Sequence, residues 1–172
     1  MSGTSEKAQS IYVTGLRNQH AVENQAIELL ERQIGRLENY PEMADRMRKH
    51  VAESKDQARR LEELLGQFGT TESGIKDTMM SFMGNVAALA HTPASDEVIK
   101  NTFANFAFEH FEIAAYKSLL TLADLTGHSA AETALRQSLA EEEAMAAWIN
   151  DHLAETTRTF VSRSEAGVTA GR

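Results

Sequence analysis

The chain has no cysteine among its 172 residues, which excludes disulfide bonds, zinc–thiolate sites and thiolate-bound iron–sulfur clusters. Acidic residues outnumber basic ones by 25 to 17, and the net charge of −8 argues against nucleic acid as a partner. No apolar run approaches the roughly 18 residues that cross a bilayer. The first residues also lack the apolar stretch of a secretory leader. We therefore expect one cytoplasmic domain that does not contact a membrane.

The scarcity of proline, together with abundant Ala, Leu, Glu and Gln, predicts an all-α chain. Breaks near Pro41, Gly69, Pro93 and Gly127 divide it into four long helices. These helices are predicted over roughly 14–38, 42–66, 96–126 and 130–156. Short loops make an antiparallel hairpin of the first two helices and another of the last two. A long crossover, about 69–95, joins the hairpins and contains an apolar stretch that predicts a short extra helix.

Two hairpins joined by one long crossover form the ferritin-like type of up-down four-helix bundle. We expect this bundle over residues 14–156, with flexible tails at 1–13 and 157–172. The tails are rich in Ser, Thr, Gly, Glu and Arg, so they offer little to bury. One further interpretation makes the C-terminal tail a docking peptide for a larger partner.

Carboxylates replace apolar residues in the core stripes of three predicted helices. Glu23 follows Leu16 and His20 in the first helix, with Ile27 and Leu30 after it. Glu109 and Glu142 occupy the corresponding places in the third and fourth helices. Burying an unpaired carboxylate costs several kcal/mol or shifts its pKa. Several such residues on facing helices indicate a site where a metal ion, a shared proton or a basic partner compensates the charge.

Ferritin-like bundles bind two metal ions between inward-facing carboxylates. The candidate metal ligands here are Glu23, Glu53, Glu109, Glu112 and Glu142. Oxygen-rich ligand sets of this kind suit iron or manganese. No Glu-x-x-His pair occurs in the chain, so any site must contain more oxygen ligands than a usual ferritin centre. Glu53 lies on a polar helix, where a solvated face is an equal alternative.

Four further side chains are candidates for contacts around the ligands: His20, Gln57, His110 and Tyr116. For His20 and His110, ligation, a hydrogen bond to a ligand and ordinary packing all remain open. Tyr116 lies one turn after Glu112 and is suited to a hydrogen bond with a ligand carboxylate, to a redox role or to plain core packing.

Three segments resemble the YciE/YciF-type ferritin-like proteins. They are Glu109-His110-Phe111-Glu112-Ile113-Ala114-Ala115-Tyr116, Glu141-Glu142-Glu143-Ala144-Met145-Ala146 with Trp148, and His50-Val51-Ala52-Glu53 followed by Gln57. Glu23 fits the family's first-helix glutamate, and the first of these segments is the most specific. The resemblance implies a ferritin-like bundle that is usually a dimer, a candidate dimetal centre and expression under bacterial stress.

Two functional hypotheses from different classes follow. In the first, the protein holds two iron or manganese ions and handles oxygen, peroxide or iron, with a possible ferroxidase-like or peroxide-reducing activity. In the second, it is a metal-free helical stress or interaction protein, and protons, waters or basic neighbours such as Arg60 and Arg136 compensate the acidic cluster. A homodimer is expected in either case.

Overall fold

A computed structural model describes residues 6–69 and 95–171 of the chain. The helices are α1 (Glu6–Ile34), α2 (Pro41–Gly66), α3 (Glu97–Leu125) and α4 (Glu132–Glu165), and a short 3-10 turn, Ser129–Ala131, precedes α4. These ranges contain no strand, so the predicted all-α bundle is confirmed.

The helices form two antiparallel hairpins that pack side by side. Pro41 lies in the first turn of α2, where a missing backbone N–H costs nothing. The α3–α4 connection turns at Gly127, whose φ of +74° favours glycine. Hydrogen bonds from Gln33 to Asn105 and from Gln19 to Glu112 show that α1 and α3 run antiparallel. Since α1 is antiparallel to α2 as well, α2 and α3 run parallel.

Two apolar clusters form the core, one toward each end of the bundle. The Leu65 cluster contains Tyr12, Leu16, Leu61, Leu64, Leu65, Tyr116, Leu119, Ala123, Ala131 and Leu135. The Met47 cluster contains Leu30, Leu37, Tyr40, Met43, Ala44, Met47, Val51, Val98, Met145 and Ile149. Full burial of a leucine or methionine side chain stabilises a fold by about 1.5–3 kcal/mol, so these clusters anchor all four helices.

The two ends of the predicted crossover lie at opposite ends of the bundle. Leu64 and Leu65, near the end of α2, belong to the Leu65 cluster, whereas Val98 at the start of α3 belongs to the Met47 cluster. The crossover predicted over about 69–95, with its short extra helix, falls almost wholly within residues 70–94, which are outside the described ranges.

The helices extend further into both predicted tails than expected. α1 begins at Glu6 because Tyr12 packs into the Leu65 cluster, and α4 continues to Glu165 because Phe160 packs against the Met47 cluster. Beyond α4, the hydroxyl of Tyr40 donates a hydrogen bond of 2.6 Å to the carbonyl of Ala170. Among the helices of the described ranges, none has the combination of length and apolarity that crossing a membrane requires.

Candidate metal centre

A layer of buried polar side chains separates the two apolar clusters. Nine members of this layer are each at most 2% exposed: Gln19, Glu23, His50, Ser54, Gln57, Glu109, Glu112, Ser138 and Glu142. All four helices contribute to the layer, so it crosses the bundle near the middle of its length.

The polar layer follows from the same spacing that builds the core. In α2, steps of three and four residues lead from Met47 through His50, Ser54 and Gln57 to Leu61. Side chains at this spacing share one face of a helix. The matching faces contribute Gln19 and Glu23 on α1, Glu109 and Glu112 on α3, and Ser138 and Glu142 on α4. The polar residues therefore face the bundle axis as the core residues do.

His50 lies between two carboxylates at the Met47 end of this layer. Its Nε2 is 3.1 Å from an oxygen of Glu109 and 3.5 Å from an oxygen of Glu142. Each of the three residues offers a potential ligand atom, and these atoms all lie within 4.8 Å of one another. One imidazole nitrogen with two carboxylate oxygens is a candidate metal-binding triad.

Glu23 and Glu112 form the other end of the layer. The side-chain amide of Gln19 donates hydrogen bonds to Glu23 Oε1 at 2.9 Å and to Glu112 Oε1 at 3.2 Å. The hydroxyl of Tyr116 donates a second bond, of 2.5 Å, to Glu23 Oε1. One oxygen of each carboxylate is thus fixed by its neighbours, and the other remains available to a ligand.

The available atoms form a set that a cation would satisfy. Within the layer, these buried atoms make no hydrogen bond to the described residues: Oε2 of Glu23, Glu109 and Glu112, both carboxylate oxygens of Glu142, Nε2 of His50, Oε1 of Gln19 and Gln57, and Oγ of Ser54. His50 Nε2 contacts Glu109 and Glu142 only as an ion pair. Buried polar atoms are nearly always hydrogen-bonded, so a concentration of exceptions needs an explanation. The oxygen atoms of this set can each offer a lone pair, and so can His50 Nε2 once the ring gives up its second proton, so the residues fit a bound cation that displaces that proton.

Burial raises the pKa of three carboxyl groups in the layer, those of Glu23, Glu112 and Glu142. It raises the pKa of Glu23 to about 7, against hydrogen bonds from Tyr116 and Gln19 that lower it. Burial raises the pKa of Glu112 well above its ordinary value, and the negative charges of Glu23 and Glu142 add to the effect. The pKa of Glu142 is also raised, by burial and by Glu109. Protons or cations must therefore compensate these groups at neutral pH.

His50 is the basic group within the layer. Burial by itself lowers its pKa, but the carboxylates of Glu109, Glu53 and Glu142 outweigh that effect and raise the pKa to about 10. Glu53 responds in the opposite direction: burial raises its pKa, whereas His50 and Arg46 lower it to about 2.

The structure brings together four of the five predicted ligands: Glu23, Glu109, Glu112 and Glu142. Of the residues predicted to lie around them, Gln57 belongs to the layer and Tyr116 adjoins it. The fifth predicted ligand, Glu53, lies on the outer side of His50, where its Oε2 is 3.1 Å from His50 Nδ1. It therefore contacts a candidate ligand and does not face the cluster.

Two predicted histidines lie apart from the cluster. His20 is buried, but its Nε2 points to Glu62 at a distance of 2.9 Å, on the outer side of α1 and α2. His110 is exposed, and its Nδ1 donates to the carbonyl of Phe106. Each histidine directly follows the residue that faces inward: Gln19 precedes His20, and Glu109 precedes His110.

His50 and Gln19 are the site residues that the sequence interpretation missed. A signal for His50 was available, since it lies in phase with Met43, Met47 and Leu61 on the buried face of α2. Gln19 lies in phase with Tyr12, Leu16 and Glu23. Following the face of α2 through its polar members would have identified His50.

Comparisons with known proteins agree with this fold. The family model described as a domain of unknown function, DUF892, matches residues 7–162. A crystal structure of a Xanthomonas campestris protein is similar at 25% identity and a TM-score of 0.77, covering 92% of this chain and 99% of that one. The crystal structure of the Escherichia coli stress protein YciF is similar at 21% identity and a TM-score of 0.69, covering 87% and 96%. The chain therefore belongs to the DUF892 family, and its resemblance to YciE/YciF-type proteins is confirmed.

Proposed function

We propose that the protein is a carboxylate-bridged dimetal protein that holds two iron or manganese ions and handles oxygen, peroxide or iron. The observation that carries this proposal is the set of buried lone-pair atoms without partners, which converge from all four helices. The similar Escherichia coli protein YciF is described as a stress protein, which supports a stress-associated role.

The division of the layer into two ends supports two metal positions. His50, Glu109 and Glu142 would hold a cation at the Met47 end, and Glu23 with Glu112 would hold one at the Leu65 end. Four carboxylates carry four negative charges when ionised, which two divalent cations balance. A balanced charge matters because an uncompensated buried charge is expensive.

The two positions differ in chemistry. The first includes an imidazole nitrogen, which suits iron, and the second contains only oxygen donors, which suit manganese as well as other hard cations. Bound iron or manganese ions would supply the redox and Lewis-acid chemistry that oxygen or peroxide needs. Tyr116 and Gln19 orient the carboxylates of Glu23 and Glu112, and the Leu65 and Met47 clusters exclude bulk water from both ends.

Metal analysis tests the proposal directly. Protein expressed with added iron or manganese should contain about two metal ions per chain, and a Glu109→Ala/Glu112→Ala variant should lose most of them. A Glu132→Ala/Glu143→Ala variant is the matched control, because both residues are exposed and outside the layer. The proposal would be contradicted if the wild-type protein contained less than one metal ion per chain and the variant contained no less.

A metal-free helical stress or interaction protein is the second candidate. The raised pKa values of Glu23, Glu112 and Glu142 favour it, because protonated carboxyl groups can stay buried without a cation. The same metal analysis separates the two functions, since this one predicts metal-free wild-type protein that is folded and unchanged by added iron or manganese.

A further inference from the structure

Two arginine–glutamate pairs lie just outside the polar layer, the first within α2 and the second between α2 and α4. Arg46 pairs with Glu53 at 3.1 Å, and Arg60 pairs with Glu141 at 2.7 Å. All four side chains are largely buried, between 10% and 19% exposed. A largely buried ion pair is favourable only when further hydrogen bonds satisfy its remaining polar atoms, so the other contacts of the two glutamates show what the pairs do.

Glu53 connects the first pair to the candidate centre. Its Oε2 accepts hydrogen bonds from Arg46 and from His50 Nδ1, both at 3.1 Å. With Nδ1 directed outward, the remaining ring nitrogen, Nε2, faces Glu109 and Glu142. A carboxylate that holds the outer nitrogen of a histidine in this way fixes the ring orientation of a metal ligand.

Glu141 connects the second pair in the same manner. Its two oxygens accept a two-pronged contact from Arg60 at 2.7 and 2.9 Å, and Oε2 accepts a further bond of 3.0 Å from Gln57 Nε2. With its amide nitrogen directed outward, Gln57 turns Oε1 inward, and that atom is buried without a partner among the described residues.

His50 and Gln57 therefore occupy equivalent positions at two levels of the bundle. They are seven residues apart on one face of α2, both are fully buried, and each is held from outside by a glutamate that an arginine fixes. Because α2 and α3 run parallel and His50 lies beside Glu109, Gln57 reaches the level of Glu112 and Tyr116. This is the end of the layer that has no imidazole.

We propose that Glu53 and Glu141 are a matched pair of positioning residues, which aim His50 Nε2 and Gln57 Oε1 at the two ends of the carboxylate cluster. This inference rests on the proposed function, because it gives each of the two metal positions one ligand from α2. The ligand is the imidazole nitrogen of His50 at the Glu109 end and the amide oxygen of Gln57 at the Glu112 end.

The experiment titrates Mn²⁺ into the metal-free full chain and into its Glu53→Ala and Glu141→Ala variants, by calorimetry. Glu53→Gln and Glu141→Gln are the conservative variants, because a glutamine carbonyl still accepts the bond. Glu63→Ala on α2 and Glu143→Ala on α4 are the controls: each removes an exposed glutamate that pairs with a basic residue away from the layer. NMR of the metal-free proteins measures exchange protection of the His50 Nδ1 proton and the Gln57 side-chain amide.

Each positioning alanine variant should weaken one of the two Mn²⁺ binding steps by about 10- to 100-fold, the usual cost of losing such a contact. Exchange protection should fall at His50 in Glu53→Ala and at Gln57 in Glu141→Ala. Glu53→Gln and Glu141→Gln should keep most of the Mn²⁺ affinity and most of the exchange protection of the wild type. Controls that weaken binding equally, or positioning variants within twofold of wild type, would overturn the inference and leave the dimetal proposal intact. Wild-type protein that takes up no Mn²⁺ and no iron would overturn both.

Discussion

At the scale of single residues, Glu112 is a buried acid with little compensation for its charge. It is fully buried, and its one described hydrogen bond comes from the neutral amide of Gln19. Three other carboxyl groups raise its pKa further, in addition to burial. Replacing such a group by a neutral residue of the same shape often stabilises a fold by about 1–4 kcal/mol. We therefore expect Glu112→Gln to raise the free energy of unfolding of the metal-free protein at pH 8, measured by urea denaturation.

The same substitution should remove the stabilisation that added Mn²⁺ gives to the wild type. Glu143→Gln is the control, because Glu143 is half exposed and pairs with Lys117 at the surface, where substitutions change stability by about 0.5 kcal/mol or less. A Glu112→Gln variant that is less stable than wild type without metal would contradict this account of the buried acid.

At the scale of helices, Gln33 and Asn105 set the register between α1 and α3. Each side-chain amide donates to the other's carbonyl oxygen, at 3.2 and 2.8 Å, and both residues are buried. Leaving one partner buried alone costs about 1–3 kcal/mol, whereas replacing both by apolar residues can be nearly neutral. Gln33→Leu and Asn105→Leu should each destabilise the protein by that amount, and the double variant by clearly less than their sum.

Unfolding of the two single variants and the double variant measures this coupling as a double-mutant cycle. Costs that simply add would mean that the two amides do not depend on each other. The cycle can be measured without metal, because neither residue belongs to the candidate centre.

The same helices show how far sequence reasoning reaches. The predicted stripe of α1 contains Leu16, Glu23 and Leu30, all of which are buried, because these residues fall on both the predicted and the observed face. The two faces diverge at His20 and Gln19. Hydropathy alone does not favour a glutamine over a histidine one position away, and only the facing Glu112 on α3 shows why Gln19 points inward.

Helix α2 shows which part of the candidate centre could not be predicted from the sequence. The presence of an acidic cluster was predictable, since carboxylates interrupt apolar stripes on α1, α3 and α4. The orientation of Glu53 was not, because it depends on Arg46 and on the ring of His50, which it holds from outside. Contacts between the buried and outer faces of one helix leave no trace in the hydropathy pattern of a sequence.

At the scale of the whole molecule, several expectations concern assembly and remain predictions. They are the homodimer, the cytoplasmic location and a docking role for the C-terminal residues. The described single chain does contribute one relevant observation: Phe103 and Phe111 on α3 are 53% and 51% exposed, on the side of the helix away from the core. Light scattering of the purified full chain measures its oligomeric state independently of the metal content.

The pH dependence of folding is a property of the whole acidic layer. The pKa of Glu23 rises from 4.5 to about 7 on folding, and that of His50 rises from 6.5 to about 10. In both cases the folded chain binds more protons than the unfolded chain between the two values, so stability falls as pH rises through them. Glu53, with its pKa lowered to about 2, adds the opposite slope only below its ordinary value of 4.5.

Metal-free protein should therefore lose stability between pH 5 and pH 9, by about 1.4 kcal/mol per pH unit for each extra proton held. Cations compete with those protons, so their affinity rises with pH and the stabilisation that they give should grow over the same range. Urea denaturation at pH 5.5, 7 and 8.5, with a chelator and then with excess Mn²⁺, measures both trends. Because the chelated protein should weaken with pH while the gain from Mn²⁺ increases, the two profiles must diverge. Parallel profiles would mean that the layer holds protons but no metal, and the metal-free function would then account for its carboxylates.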